Sequence, residues 1–186
     1  MAVYAGKVVI VTGASQGIGK ALSLALAPQR PRLVLAARDT EALARVARDC
    51  EALGAEALVV GCDVSDEAAC RALAAAAATR FQAIDVLVNN AGMGMLARFE
   101  DVTDLSQYER LMRVNYLGSV YPTFYALPHL KRSRGQIVAI SSLAGLTGVP
   151  YRSAYCATKH AQMGFFDSLR IELRRSGVSV SVIAPY

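Results

Sequence analysis

Tyr155 and Lys159 can do chemistry together that neither does alone. They stand four residues apart in Tyr-Cys-Ala-Thr-Lys, so on a helix both lie on one face, one turn apart. A free phenol has a pKa of about 10 and is a poor base near neutral pH. An ammonium within reach favours the phenolate. That brings Tyr155 closer to the range in which it can exchange a proton with a substrate oxygen. Ser142 stands just after the apolar run Gln136-Ile-Val-Ala-Ile-Ser141 and can offer a hydroxyl to the same oxygen. Tyr-x-x-x-Lys by itself is also what the end of an amphipathic helix presents; the features that add to it stand at the other end of the chain.

There, Lys7 to Thr12 is a β-branched run that predicts a strand buried on both faces, hence parallel. Gly13-Ala-Ser-Gln-Gly-Ile-Gly19 follows directly, and Lys20 to Ala27 predicts a helix stopped by Pro28 and Pro31. Strand, glycine loop and helix are the context of a phosphate cradle. Glycines allow close backbone approach, and the new helix points its N–H groups at an anion. The spacing is Gly-x-x-x-Gly-x-Gly rather than the general dinucleotide fingerprint Gly-x-Gly-x-x-Gly. A tight strand–helix turn without a ligand would use the same glycines.

The elements between these ends alternate. Arg32 to Ala37 reads as a second strand and Thr40 to Leu53 as a helix closed by Gly54. Glu56 to Cys62 is a third strand ending at Asp63, and Ser65 predicts the N-cap of a helix reaching about Arg80. Ile84 to Val88 is a fourth strand, followed by Asn89-Asn-Ala-Gly92. A helical region spans about Leu105 to Leu130, with a break or kink predicted from Gly118, Pro122 and Pro128. Gln136 to Ser141, a helix from Ala154 to Arg175, and Val178 to Ile183 complete the series. This is an α/β pattern with a doubly wound parallel sheet of six strands, in a single domain over residues 1–186.

Composition narrows the class. At 54% hydrophobic, 186 residues fill the core of one domain. No apolar run is long enough for a bilayer, and no basic segment leads into an apolar stretch with a cleavage site, so neither a membrane segment nor a signal peptide is expected. Cys50, Cys62, Cys70 and Cys156 lack metal-ligand spacing. They predict buried, reduced thiols in a cytoplasmic protein, with no metal. The net charge of +5 is scattered, and its densest cluster, Lys131, Arg132 and Arg134, suits a helix end. No aromatics interleave the charges, so nucleic acid is not an expected partner.

Thr12-Gly-Ala-Ser-Gln-Gly-Ile-Gly19, Asn89-Asn-Ala-Gly92, Asn115, Ser142 and Tyr155-Cys-Ala-Thr-Lys159 occur in the order and at the spacing of the short-chain dehydrogenase/reductase family. The chain resembles that family over essentially its whole length, and the glycine spacing is the family's own. Ala126-Leu-Pro-His-Leu-Lys and Ser141-Ser-Leu-Ala-Gly are further similar to the 11β-hydroxysteroid dehydrogenase branch. The resemblance implies a Rossmann-type fold and a hydride transfer that interconverts a carbonyl and an alcohol. Tyr155 would be the general acid in reduction and the general base in oxidation. Lys159 would lower its pKa and hold the nicotinamide ribose hydroxyls. Ser142 would orient the carbonyl beside Tyr155. Asn115 would sit at the helix break and hold a water leading to Lys159.

The resemblance also assigns the cofactor's neighbours. Gly13, Ser15, Gln16, Gly17, Ile18 and Gly19 would cradle the pyrophosphate. Asp63 would accept from the adenine amino group, with Val64 beside the ring. Asn90, Ala91 and Gly92 would line the adenosine side, although one Asn of the Asn89–Asn90 pair could equally tie neighbouring strands. Pro185 joins this set; the family has Pro-Gly there, and this chain reads Pro185-Tyr186 and stops. A seventh strand and a substrate loop are therefore expected to be missing, leaving strand six as an unpaired edge.

Cofactor choice turns on Ala36-Ala37-Arg38-Asp39. NAD-preferring members of the family carry an acid where Ala37 stands. Ala37 leaves room for a 2′-phosphate and Arg38 offers a planar donor fork, while Asp39 reads as a helix N-cap. NADP(H) is thus expected over NAD(H), despite Gln16 standing where a second basic residue is usual. Met93 to Leu96 and Leu143 to Tyr151 are apolar, which favours an apolar ketone, aldehyde or secondary alcohol. The resemblance further implies a homodimer or homotetramer through the two long helices, with Ala126, Phe165, Phe166 and Leu169 on the shared face. Two other classes share parts of the pattern. A catalytically silent nucleotide-binding sensor or scaffold has no need of the Ser–Tyr pair, and an S-adenosylmethionine methyltransferase would lack Tyr-x-x-x-Lys.

Overall fold

All five residues of strand β1 (Val8–Thr12) are buried, as a strand covered on both faces requires. In this computed structural model, which describes residues 3–185, β1 lies at the centre of a six-stranded sheet. The strand order is β3-β2-β1-β4-β5-β6, built from β2 (Arg32–Ala37), β3 (Glu56–Gly61), β4 (Val86–Asn89), β5 (Gln136–Ile140) and β6 (Ser179–Ile183). Every pairing is parallel. The chain winds outward from β1 to β3, returns to β4 beside β1, and then winds the other way. Between β1 and β4 the loops leave in opposite directions and open a crevice, the place where such sheets bind ligands.

Side chains alternate across β1. Val9 and Val11 pack with Leu33 and Leu35 under α1 (Gly17–Leu26) and α2 (Thr40–Ala52), through Leu26, Leu43, Val46 and Cys50. Val8 and Ile10 pack on the other face under α3 (Glu67–Phe81), α5 (Gly118–Ser133) and α6 (Ser153–Glu172), through Leu73, Ala77, Leu130 and Phe166. Each such fully buried aliphatic or aromatic side chain is worth about 1.5–3 kcal/mol.

The sequence-based boundaries need three corrections. Helix α1 begins at Gly17 rather than Lys20, so two loop glycines belong to its first turn. The cap of α3 is Asp66, which accepts from Ala68 N at 2.9 Å, because the Ser65 hydroxyl is already given to Asp63 at 2.7 Å. The long helical region does break, upstream of Gly118 and the prolines but around Asn115, where the resemblance set the break. α4 (Ser106–Leu111) runs into a π-turn, Met112–Leu117, and α5 then continues through Pro122 and Pro128. Gly118 serves close packing instead: a Cβ there would lie 2.7 Å from Val64 Cγ2.

The expected oligomer face is also corrected. Ala126, Phe166 and Leu169 are buried in the chain's own core, 0–8% exposed, because they point at the sheet. Phe165 is only partly buried against that core. Phe124 and Ile171, at 67% and 69%, are the large apolar residues that α5 and α6 turn outward.

Candidate active site

The glycine loop lies at the crevice. Gly13 and Gly17 hold φ of +66° and +55°, the region where a side chain is strained. Gly19 is needed for a different reason. A Cβ on it would lie 2.5 Å from Asn90 Nδ2 and 2.9 Å from the Gly13 carbonyl carbon. The start of α1 therefore sits directly on the loop, and Gln16, its N-cap, makes no side-chain cap bond. The first-turn N–H groups of α1 stay available to an anion.

Thr12 and Asn90 clasp the two sides of the crevice. Thr12 Oγ1 donates to Val88 O at 3.3 Å and accepts from Asn90 N and Ala91 N at 3.0 and 3.1 Å. Asn90 Nδ2 donates to Thr12 O at 2.8 Å and to Gly13 O at 3.2 Å. Asn89 Nδ2 donates to Thr123 Oγ1 at 2.9 Å, inside the core. Both asparagines thus tie elements together, and Asn90 does so at the rim of the crevice. Thr12 is the residue that sequence reasoning passed over; its signal is a polar residue closing an otherwise apolar buried strand.

A cavity of about 500 Å³ opens along the carboxyl ends of β1 to β4. Gly13, Ser15, Gln16, Gly17, Ile18, Arg38, Asp63, Val64, Asn90, Ala91 and Gly92 line it, joined by Ala37, Asp39, Cys62, Met93 and Val114. Gly19 lies beneath the lining. Asp63 Oδ1 accepts from the Ser65 hydroxyl at 2.7 Å and from Ser65 N at 2.9 Å. The hydroxyl bond chiefly holds the carboxyl below its usual range, against the effect of burial. The Ser65 N–H and the Arg38 and Arg110 charges act in the same direction. Asp63 is therefore an ionised acceptor. Asp39 Oδ1 caps α2, accepting from Ala42 N at 2.8 Å, as read from sequence. Exposed Arg38 forms no salt bridge among the described residues. A dinucleotide fits this set: a glycine cradle that a Cβ would fill, free first-turn donors, and an ionised carboxylate at the far side.

Asn115 links the cavity to α6. Its side chain accepts from Met93 N at 2.8 Å and donates to Met93 O and to Thr158 Oγ1, both at 2.9 Å. Thr158 lies beside Lys159 in sequence and donates back to Tyr155 O at 2.8 Å. Lys159 Nζ stands 5.8 Å from the Tyr155 ring centroid, one helical turn on, as the spacing predicts. It donates to Ile140 O at 2.9 Å, at the end of β5, and to Gln162 Oε1 at 3.2 Å. Lys159 is only 4% exposed, and burial pushes its ammonium down from 10.5 to about 8.

Ser142 follows β5 and caps the turn Leu143–Gly145, accepting from Ala144 N at 3.2 Å. That turn packs on α6. Pro185 stands beside it, its carbonyl accepting from Leu143 N at 3.2 Å; Tyr186 lies outside the described residues. The four thiols are unpaired and buried. Among the described residues no group of His, Cys, Asp or Glu could hold a metal ion, and no helix is long and apolar enough to cross a membrane.

Comparison with known proteins accords with this geometry. A family profile described as short chain dehydrogenase matches residues 7–186. An 11-beta-hydroxysteroid dehydrogenase of Pinus massoniana is 40% identical over 181 residues, which are 97% of this chain and 51% of the relative. The chain thus spans about half the length of that curated relative. A short chain dehydrogenase/reductase of Burkholderia phymatum, solved in complex with NAD, superposes with a TM-score of 0.93 at 33% identity, covering 98% of this chain and 66% of that one. An alcohol dehydrogenase of the archaeon Thermococcus sibiricus, complexed with 5-hydroxy-NADP, gives 0.91 at 30% identity, covering 96% and 75%. The chain belongs to the short-chain dehydrogenase family, an oxidoreductase family, and within it is related to the 11β-hydroxysteroid dehydrogenase branch.

Proposed function

We propose that the chain carries the cofactor site and reaction centre of an NADP(H)-dependent oxidoreductase that interconverts a carbonyl and a secondary alcohol. The observation that carries the reading is the single network from the cavity rim at Met93, through Asn115 and Thr158, to the turn of α6 bearing Tyr155 and Lys159. The cavity lining would hold a nicotinamide dinucleotide, which would supply the hydride. Tyr155 Oη gives a proton to the substrate oxygen in reduction and takes it back in oxidation. The Ser142 hydroxyl is a second donor where negative charge develops. Lys159 offers its ammonium to the nicotinamide ribose hydroxyls.

The preference for NADP(H) is supported by Arg38 and Ala37, with the Asp39 carboxylate engaged on α2. An apolar ketone, aldehyde or secondary alcohol is the proposed substrate, from the apolar segments bordering the site. A homodimer or homotetramer belongs to the same reading, with Phe124 and Ile171 as the apolar residues available on the long helices. So does a cytoplasmic location, on the strength of four unpaired thiols. The test is oxidation of NADPH, followed by its near-ultraviolet absorbance, against a panel of apolar ketones and aldehydes. Turnover that disappears in Tyr155→Phe supports the reading. NADPH binding without turnover on any panel member would favour the sensor or scaffold.

A further inference from the structure

Gln162 is a polar side chain 1% exposed on the inner face of α6. Its Nε2 donates to Ser119 Oγ at 2.7 Å and to the Asn115 carbonyl at 3.4 Å, and its Oε1 accepts from Lys159 Nζ at 3.2 Å. The surroundings determine which way the amide faces. An ammonium only donates and a carbonyl only accepts, so the oxygen must face Lys159 and the nitrogen Asn115. Ser119 in turn donates to the Asn115 carbonyl at 3.0 Å. Ile140 O and Gln162 Oε1 therefore hold two of the three ammonium N–H groups, leaving one for a ligand.

An apolar side chain would fill this inward position without the desolvation cost of an amide. What the amide adds is orientation. A free lysine side chain loses rotamer entropy when it is ordered, and Gln162 maintains that order before any ligand arrives. Asn115 joins the two ends. Its side chain holds Met93 at the cavity rim, and its carbonyl holds the amide that holds the ammonium.

We propose that Gln162 is a positioning residue that clamps the Lys159 ammonium beside the end of β5 and couples it, through Ser119 and the Asn115 carbonyl, to the cavity rim. The proposal rests on the reading of Lys159 as a cofactor-facing cation. The test titrates NADPH by its own fluorescence, with NADH in parallel, into wild type, Lys159→Ala, Gln162→Met, Gln162→Glu, Ser119→Ala and the Ser119→Ala/Gln162→Met double variant. Melting temperatures are recorded for each. Met matches the length of Gln but gives the ammonium no oxygen. Gln162→Met should weaken NADPH binding roughly tenfold, the low end for one lost hydrogen bond to a charged group. Gln162→Glu keeps an acceptor for the ammonium but forfeits the Nε2 donor to Ser119 Oγ and the Asn115 carbonyl, so it should weaken binding about twofold, as Ser119→Ala does, and less than Gln162→Met. Ser119→Ala should cost about twofold alone and nothing further in the Gln162→Met background, since its link to Lys159 runs through the amide.

A Gln162→Met protein that binds like wild type, while Lys159→Ala binds weakly, overturns the proposal and leaves the reading of Lys159 standing. Wild-type affinity in Lys159→Ala overturns both. Additive losses in the double variant overturn the coupling through Ser119. If Gln162→Met does not fold, Gln162→Glu decides: affinity as weak as that of Lys159→Ala refutes the clamp.

Discussion

Replacing Lys159 with methionine should raise stability at neutral pH and lower it in alkali. Burial takes the Lys159 pKa from 10.5 in the open chain to about 8 in the fold. At about 1.4 kcal/mol per pH unit, that is a folding penalty of roughly 3 kcal/mol. The group is a base with a depressed folded pKa, so between about 8 and 10.5 the unfolded chain binds more protons than the folded one. Stability therefore rises with pH across that window. The penalty is fully present below about pH 8 and is relieved as the pH approaches 10.5. Methionine fills the volume of the lysine stem without a charge but forfeits the bonds to Ile140 O and Gln162 Oε1, each worth about 1 kcal/mol. The variant should thus be more stable by about 1 kcal/mol at pH 7 and less stable by a similar margin near pH 10, a swing of about 2–3 kcal/mol. Urea unfolding of both proteins across this range measures the difference, and other titrations cancel in it. A difference constant with pH would show that Lys159 is not held in a low-dielectric site.

Tyr155→Phe should cut kcat by roughly 10²–10⁴ while leaving the NADPH Kd within about twofold, since the ring still packs and only the proton donor is lost; a tenth of the wild-type rate would refute its acid/base role. Gly19→Ala should destabilise by about 1–3 kcal/mol and abolish measurable NADPH binding, because its Cβ meets the Gly13 carbonyl and Asn90 Nδ2; unaltered urea midpoint and affinity would show that the loop yields freely. Ala37→Asp should reverse a preference for NADPH by setting a carboxylate against the 2′-phosphate, as kcat/KM for the two cofactors will report; wild-type preference for NADH would show Arg38 to be an ordinary surface charge.

Much of the cavity was legible because its residues sit where strand patterns end. A buried β-branched run must stop at a turn, and in a parallel sheet every such stop falls on the same edge. Placing Thr12, Ala37, Cys62 and Val88 at strand ends therefore brought the following residues together without any knowledge of contacts. Tyr155 and Lys159 were legible for a similar reason, since helical spacing alone sets them one turn apart. The outward faces of the long helices were not. Ala126, Phe166 and Leu169 are as apolar as any residue for an interface, and composition cannot say whether a face turns to the sheet or away from it. Only the registration of α5 against β4 and of α6 against β6 decides that.

The π-turn lies where the family resemblance set the helix break, at Asn115, but its geometry was not legible from the residues. Gly118 and the two prolines announce an irregular helix, yet the irregular turn lies before all three, at Met112–Leu117. In that turn Gly118 N–H bonds back to Arg113 O, a step wider than in an α-helix. One residue of the widened turn acts in two directions. The Asn115 side chain reaches Met93 and Thr158, and its carbonyl accepts from the Ser119 hydroxyl and the Gln162 amide. Gln162 has no motif of its own, and at its position a leucine would satisfy every sequence pattern. Its importance follows from what lies opposite it: a carbonyl with room for another donor and an ammonium with room for another acceptor. That complementarity exists only in three dimensions, which is why the Tyr155–Lys159 spacing could be read from the sequence and the clamp on Lys159 could not.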